Sequence, residues 1–304
     1  MTMTVPAPLG AIEHYTLLER LDSAGPGDLY RARDTRLGRT VSVRVLPIDF
    51  VSEPDARAIL LERARSVVAL SHPNVTALFE VGEHGGRIYL VFEFLKGQSL
   101  RAEMAGRMMN VRRTVELAVQ MADAVADAHA SGFIHGGLSP DSIVITAKGH
   151  VKVPARELAA YGGFHQDGSD IRLRDYESPE EARGQDADER SDIYSVGAVL
   201  FEMLTTRRPL HRGAASPSVS NRHVPPELDD IALKALAPNP GSRFQSAATF
   251  AAELRTMAAI LDVRGGAGDE DELVEAGSAH VGRALVFAVV ILLALGALAW
   301  LVLA

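Results

Sequence analysis

An α+β fold is predicted, with a small β-rich lobe ahead of a larger helical lobe and one transmembrane helix at the C-terminus. Three observations carry that prediction. Up to Phe94 the chain holds short alternating segments separated by turn residues. After Gly97 the apolar residues recur at helical spacing over long stretches. Residues 284–304 then run for 21 positions without a charged side chain.

In chain order, Tyr15–Leu21, Leu29–Asp34 and Thr40–Leu46 read as strands, because β-branched and alternating residues are bounded by turn formers. Asp55–Leu70 reads as a helix, with Ile59, Leu60, Val67 and Leu70 as its apolar positions. Ser71-His-Pro-Asn74 stops it, since the residue before proline resists helix. Val75–Val81 and Arg87–Phe94 form a hairpin around Glu83-His-Gly-Gly86. Val111–Ala130 and Ser191–Leu204 are amphipathic helices, and Leu228–Ala237 with Ser246–Leu261 continue the pattern. The organisation is therefore a tail over residues 1–13 and a bilobal domain over 14–262 (lobes 14–95 and 98–262). A linker over 263–283 and the apolar helix 284–304 complete it.

At 304 residues, with 23% charged and 47% apolar side chains, the chain has ample material for a buried core. Its net charge of −8 argues against nucleic acid as a partner, since phosphate recognition calls for a basic surface. With no cysteine, disulfides, thiolate metal sites and cysteine nucleophiles are excluded. Met1–Gly10 lacks the basic start and apolar core of a secretion signal. The apolar run, ALVFAVVILLALGALAWLVLA, spans roughly 31 Å as a helix, about the thickness of a bilayer's hydrocarbon. It has no polar face, Arg283 stands at its near end, and Trp300 lies where an interfacial aromatic is expected. The glycines and acidic run before it read as a solvated linker. The expected location is a single-pass cell-membrane protein with its folded domain in the cytoplasm.

Several ordered motifs make the chain resemble the eukaryotic-like serine/threonine protein kinases of bacteria. They are Leu29-Tyr-Arg-Ala-Arg-Asp34, Leu70-Ser-His-Pro-Asn-Val75, Tyr89-Leu-Val-Phe-Glu-Phe94, Gly132-Phe-Ile-His135, Ser178-Pro-Glu-Glu-Ala-Arg-Gly184, Ser191-Asp-Ile-Tyr-Ser195 and Ser242-Arg-Phe-Gln-Ser-Ala247. The resemblance covers Tyr15 to Ile260 and implies the bilobal kinase fold. It also implies a nucleotide cleft between the lobes, taking in Gly25, Gly27, Arg44, Phe92, Glu93 and Leu95.

Carried onto this sequence position by position, the resemblance implies altered chemistry. Of the glycine-rich loop only Gly27 is kept, with Asp22 and Ala24 at the other two glycine positions. Arg44 stands at the phosphate-gripping lysine, and Arg63 at its glutamate partner; the neighbouring Glu62 points about 100° away around the helix. In His135-Gly-Gly-Leu-Ser-Pro-Asp-Ser142, the base aspartate is Gly137, the lysine is Ser139 and the metal-binding asparagine is Ser142. Asp141 lies one residue from that last position and is not read as a ligand. Ala155-Arg156-Glu157 replaces the metal-binding D-F-G, and Leu173 replaces the threonine that contacts the catalytic lysine. Glu180, Arg243 and Asp192 match the family's architectural residues, with Glu180 and Arg243 expected as a buried pair and His135 as structural. The family's usual partner-docking helix between Pro209 and Pro225 is expected to be replaced by a loop.

From these positions we expect no enzyme: a membrane-tethered pseudokinase serving as a signalling scaffold or allosteric partner for other proteins, with ATP and magnesium binding doubtful. The alternatives are a weak or atypical serine/threonine protein kinase, or a nucleotide-binding sensor without phosphotransfer. Arg44, Arg63 and Glu157 are expected to meet in the cleft, with Glu157 pairing one arginine.

Overall fold

A computed structural model describes residues 9–21, 27–50, 53–68, 71–154, 174–209 and 214–264. The chain divides into two compact units, residues 1–257 and 258–304.

The first unit opens with a six-stranded antiparallel sheet. Its strands are β1 (Gly10–Ile12), β2 (Tyr15–Leu21), β3 (Asp28–Asp34), β4 (Arg39–Val45), β5 (Leu78–His84) and β6 (Arg87–Glu93), in the order β1-β2-β3-β4-β6-β5. Alternation shows in β2, where Tyr15 and Leu17 are buried and their neighbours are not. Strands β4 and β6 differ: Val41–Arg44 and Ile88–Phe92 are buried without a break, because these central strands are covered on both faces. One face packs Ile12, Tyr15, Leu17, Ala32, Val41, Val43, Tyr89 and Val91 into a core. The Tyr15 and Tyr89 hydroxyls at its edge both donate to Glu80 at 2.7 Å. Burial, and then that carboxylate, push both phenols above their ordinary range.

Helix α1 (Pro54–Val68) buries Leu60, Ala64 and Val67, an i, i+4, i+7 stripe, and packs on β5. Ile59 was expected on that stripe but is exposed, because one residue's step turns it about 100° from Leu60. Leu70 lies outside the described residues.

Beyond Phe94 come β7 (Gly97–Ser99), α2 (Leu100–Met104) and α3 (Val111–Ala130), then β8 (Val144–Thr146) and β9 (Val151–Lys152). Strands β7, β8 and β9 make a second, three-stranded sheet. Asn110 caps α3 by accepting the Arg113 N–H. Helix α4 (Glu189–Thr205) starts with a reciprocal capping box between Asp188 and Ser191 and is buried from Ser191 to Thr205. It is the axis of this lobe: α3 packs on one side, and α6 (Pro226–Ala235) on another. A Cβ at Gly197 would stand 2.7 Å from the Ala235 Cβ, so glycine sets how closely α4 and α6 approach. Residues 247–257 close the unit as helix α7. Of the second unit, residues 258–264 are described and are helical.

Strand β1 lies in the stretch that the sequence reading left to the tail; its three residues pair with Tyr15–Leu17. The stretch expected as loop before Pro225 contains a four-residue helix, α5 (Pro217–Ser220), started by proline at its first position. Among the described residues no helix is long and apolar enough to cross a membrane, and 284–304 lies outside them.

Candidate nucleotide and acceptor cleft

The upper wall is built from β3, β4 and β6. Gly27 has φ +77°, and a Cβ there would meet the Val45 carbonyl oxygen at 2.0 Å. Only glycine lets the chain entering β3 close so tightly on β4, so this retained glycine is a packing requirement in its own right. Arg44 sits mid-β4, opposite Leu29 and Leu90, and is 3% exposed. The charge at the lysine position is therefore held inside the lobe. Arg63 is half-buried on α1, and Glu62 faces solvent. Gly25, Asp22 and Ala24 lie outside the described residues, as do Ala155, Arg156, Glu157 and Leu173. The expected meeting of Arg44, Arg63 and Glu157 thus falls there too.

Between the lobes, Phe92 is buried and Leu95 half-buried. Glu93 directs its carboxylate to Lys152 Nζ at 2.8 Å, and that ammonium also reaches the Val75 carbonyl at 3.2 Å. Beside it Asn74 donates to the Val151 carbonyl at 2.9 Å, and the Val153 N–H donates to the Asn74 carbonyl at 2.7 Å. The His-Pro-Asn turn after α1 is therefore stitched to β9. The two lobes have a second connection besides the covalent link at residues 94–96.

The lower wall is the loop 135–142. Asp192, 1% exposed, accepts the His135 N–H at 2.7 Å and the Gly136 N–H at 2.8 Å, as the resemblance implies. His129 Nε2 completes its coordination at 2.8 Å. The His135 ring bonds the Pro154 carbonyl at 2.9 Å, which matches a structural role. Ser142 Oγ accepts the Ser139 N–H at 3.2 Å and bonds the Ser139 carbonyl at 3.1 Å, so this hydroxyl closes a local turn. Gly137 is half-buried and Ser139 buried. Asp141 is engaged by Arg101 Nε at 3.2 Å.

Glu180 and Arg243 form the expected buried pair. Arg243 Nη1 and Nη2 donate to the two carboxylate oxygens at 2.6 and 2.7 Å, and the arginine side chain is 0% exposed. Burial pushes the Glu180 carboxyl up, but the bonds from Arg243 and Ser191 outweigh it and hold the group down at about 2.

Sequence reasoning passed over Arg101, Tyr176 and Glu202, which meet Asp141 in a cluster below the loop. The one available signal was an uncompensated acid, Glu202, in the middle of an otherwise apolar helical run. Gly137, Ser139 and Ser142 supply no carboxylate. Among the described residues no group of three or more acids or histidines gathers where it could hold a metal ion.

The chain's likeness to known proteins can be set against this geometry. The protein kinase domain family matches residues 15–254. A probable serine/threonine-protein kinase of Streptomyces coelicolor, SCO3848, is 34% identical over 81% of this chain and 40% of its own. Serine/threonine-protein kinase PknB of Mycobacterium tuberculosis is 36% identical over 83% of this chain and 44% of its own. PrkC of Bacillus subtilis is 30% identical over 80% of this chain and 40% of its own. The chain thus spans about two-fifths of these relatives' length. Among solved structures, a double mutant of the PknI kinase domain of Mycobacterium tuberculosis superposes with a TM-score of 0.68 at 21% identity, over 84% of this chain and all of that one, which supports the fold.

These findings correct the functional expectation. A pseudokinase that is no enzyme was inferred from substituted positions, chiefly Arg44, Arg63, Gly137, Ser139, Ser142 and Ala155. The relatives matching four-fifths of the chain at 30–36% identity are named as serine/threonine protein kinases, so the alternative of a kinase fits better. The expectation erred by treating a few positions as decisive, although phosphoryl transfer depends chiefly on positioning and electrostatics. From the sheet and cleft to the buried ion pair under them, residues 15–254 make this chain a member of the protein kinase domain family.

Proposed function

We propose that this protein is an atypical, slow serine/threonine protein kinase that moves the terminal phosphoryl group of a nucleoside triphosphate onto protein hydroxyls. The family match across both lobes is the observation that carries the reading. Because the reaction requires little covalent work from the protein, a scaffold that aligns nucleotide and acceptor retains part of the rate enhancement. Arg44 supplies a buried positive charge on the upper wall. Its planar fork is a different phosphate contact from a lysine's point charge. Gly137 offers no base, so the acceptor's proton leaves to water. Acid–base assistance contributes about 10²–10⁴-fold, and a reduction of that order is expected.

The test is transfer of radiolabelled phosphate from ATP, with magnesium or manganese, by the full-length chain to itself and to a generic protein substrate. Slow labelling of serine or threonine is expected, lost in Arg44→Ala. No transfer above a protein-free blank overturns the proposal. ATP-dependent thermal stabilisation without transfer replaces it with a nucleotide-sensing role.

The same proposal includes a membrane tether. Its support is the uncharged stretch 284–304, preceded by Arg283 and an acidic linker that an anionic leaflet would repel. The domain would then face protein substrates from the membrane surface.

A further inference from the structure

We infer that Arg101 is a positioning residue for this reaction: it clamps the loop bearing Gly137–Ser142 to the segment 174–178 and to the central helix α4. The role in transfer rests on the kinase reading; the clamp itself is geometric.

Arg101 stands in the first turn of α2, whose start is pinned to the loop through main-chain bonds. The Leu100 N–H donates to the Ile143 carbonyl and the Arg101 N–H to the Pro140 carbonyl, each at 2.8 Å. The guanidinium then reaches three separate segments with three different nitrogens. Nε donates to Asp141 in the loop at 3.2 Å, Nη1 to Glu202 on α4 at 2.5 Å, and Nη2 to the Tyr176 hydroxyl at 2.5 Å. Tyr176 closes the ring by donating its hydroxyl to Glu202.

The geometry is demanding. Tyr176 and Glu202 are 1% and 5% exposed, so both rely on protein partners in place of water. Arg101 is 30% exposed and covers them. Ser195 Oγ holds the Tyr176 carbonyl at 2.8 Å, and Arg208 pairs with the neighbouring Asp175. Two residues further on begins the Ser178–Glu180 stretch that Arg243 anchors. The resemblance implies a lysine and a threonine at positions 139 and 173 that would join the loop to the segment after it; the sequence has serine and leucine at those positions. Arg101 joins the loop to residues 174–178 by a route of its own. Lysine cannot replace it, because a single ammonium cannot present a rigid fork to three divergent acceptors.

On the kinase reading, the acceptor hydroxyl approaches the loop, so the distance from loop to segment governs how a protein acceptor sits. The nucleotide, held from the upper wall, is touched less. The test uses the full-length chain with Arg101→Lys and Arg101→Gln. Hydrogen exchange should quicken in both residues 136–142 and 174–181 by about tenfold or more. In the transfer assay, kcat/KM for the protein acceptor should fall by at least about tenfold with KM for ATP unchanged, and lysine should not rescue it. Exchange at the wild-type rate overturns the clamp. An equal loss in both substrates, or rescue by lysine, overturns the positioning role. If the Arg101 variants fail to fold, Asp141→Ala removes the acceptor of the loop arm, and unchanged exchange over 136–142 overturns the inference. Should the wild type transfer no phosphate, the kinase reading fails while the exchange experiment still decides the clamp.

Discussion

Arg243→Met tests the ion pair that fastens the end of the segment 174–184 to the helical lobe. The substitution keeps an unbranched side chain of similar length and removes the charge. What remains is Glu180, 7% exposed, with the Ser191 hydroxyl still donating to it at 2.8 Å. The Ala237 and Arg190 carbonyls, which Arg243 holds at 2.8 and 2.9 Å, lose their donor as well. Removing one member of a buried pair leaves an uncompensated charge and costs about 3–5 kcal/mol. For a domain of this size, each kcal/mol moves the melting midpoint by about 2–4 °C. The expected fall is therefore about 6–20 °C, read by far-UV circular dichroism of the full-length chain at neutral pH. Replacing both partners, as Glu180→Leu with Arg243→Met, should cost less than the two single changes together, since no charge is then stranded.

The pH dependence supplies an independent check. Glu180 is held at about 2 in the folded protein against 4.5 as its ordinary value. A carboxyl with a depressed folded pKa contributes stability above its unfolded value, and that contribution is lost as pH falls through the folded one. The gap between wild type and Arg243→Met should accordingly narrow from about pH 4.5 downward. A midpoint change under about 2 °C at neutral pH, or a gap that widens in acid, would refute the reasoning.

Asp192→Ala should strand the buried His135 N–H and the half-buried Gly136 N–H, at about 1–3 kcal/mol for a buried unsatisfied donor; faster hydrogen exchange at those two amides and a lower midpoint are the readouts, and unchanged exchange would show that Asp192 does not hold the loop. The full-length chain should stay with membranes through high-salt and carbonate washing and be released once residues 284–304 are deleted; release of the intact chain by carbonate would remove the tether from the proposal.

What could be read in advance depended on whether the informative residues carry their signal locally. The strands β2 to β6 and the helix α3 announce themselves through β-rich runs bounded by turn residues and through helical spacing, each over seven residues or more. Strands β1, β7, β8 and β9 have two or three residues each, too few for any period to show. Glu180, Arg243 and Asp192 were legible because each stands in a motif whose resemblance supplies the partner, although Glu180 and Arg243 lie 63 residues apart. Arg101 had no such guide. It lies 75 residues from Tyr176 and 101 from Glu202, in a short helix after a turn, and an arginine there reads as a solvated side chain. Its contacts exist because folding brings three backbone segments within one guanidinium's reach. Gly27 shows the converse limit: a glycine that the resemblance attaches to phosphate is also required by the Val45 carbonyl, so its presence does not discriminate between the two causes. The same ambiguity runs through the functional inference. Substituted positions such as Gly137 and Ser142 indicate which side chains are absent, whereas the proposed transfer also depends on how the loop and its neighbours are held. The bonds that hold them are made by Asp192, Lys152 and Arg101, which no motif spacing reveals as a set.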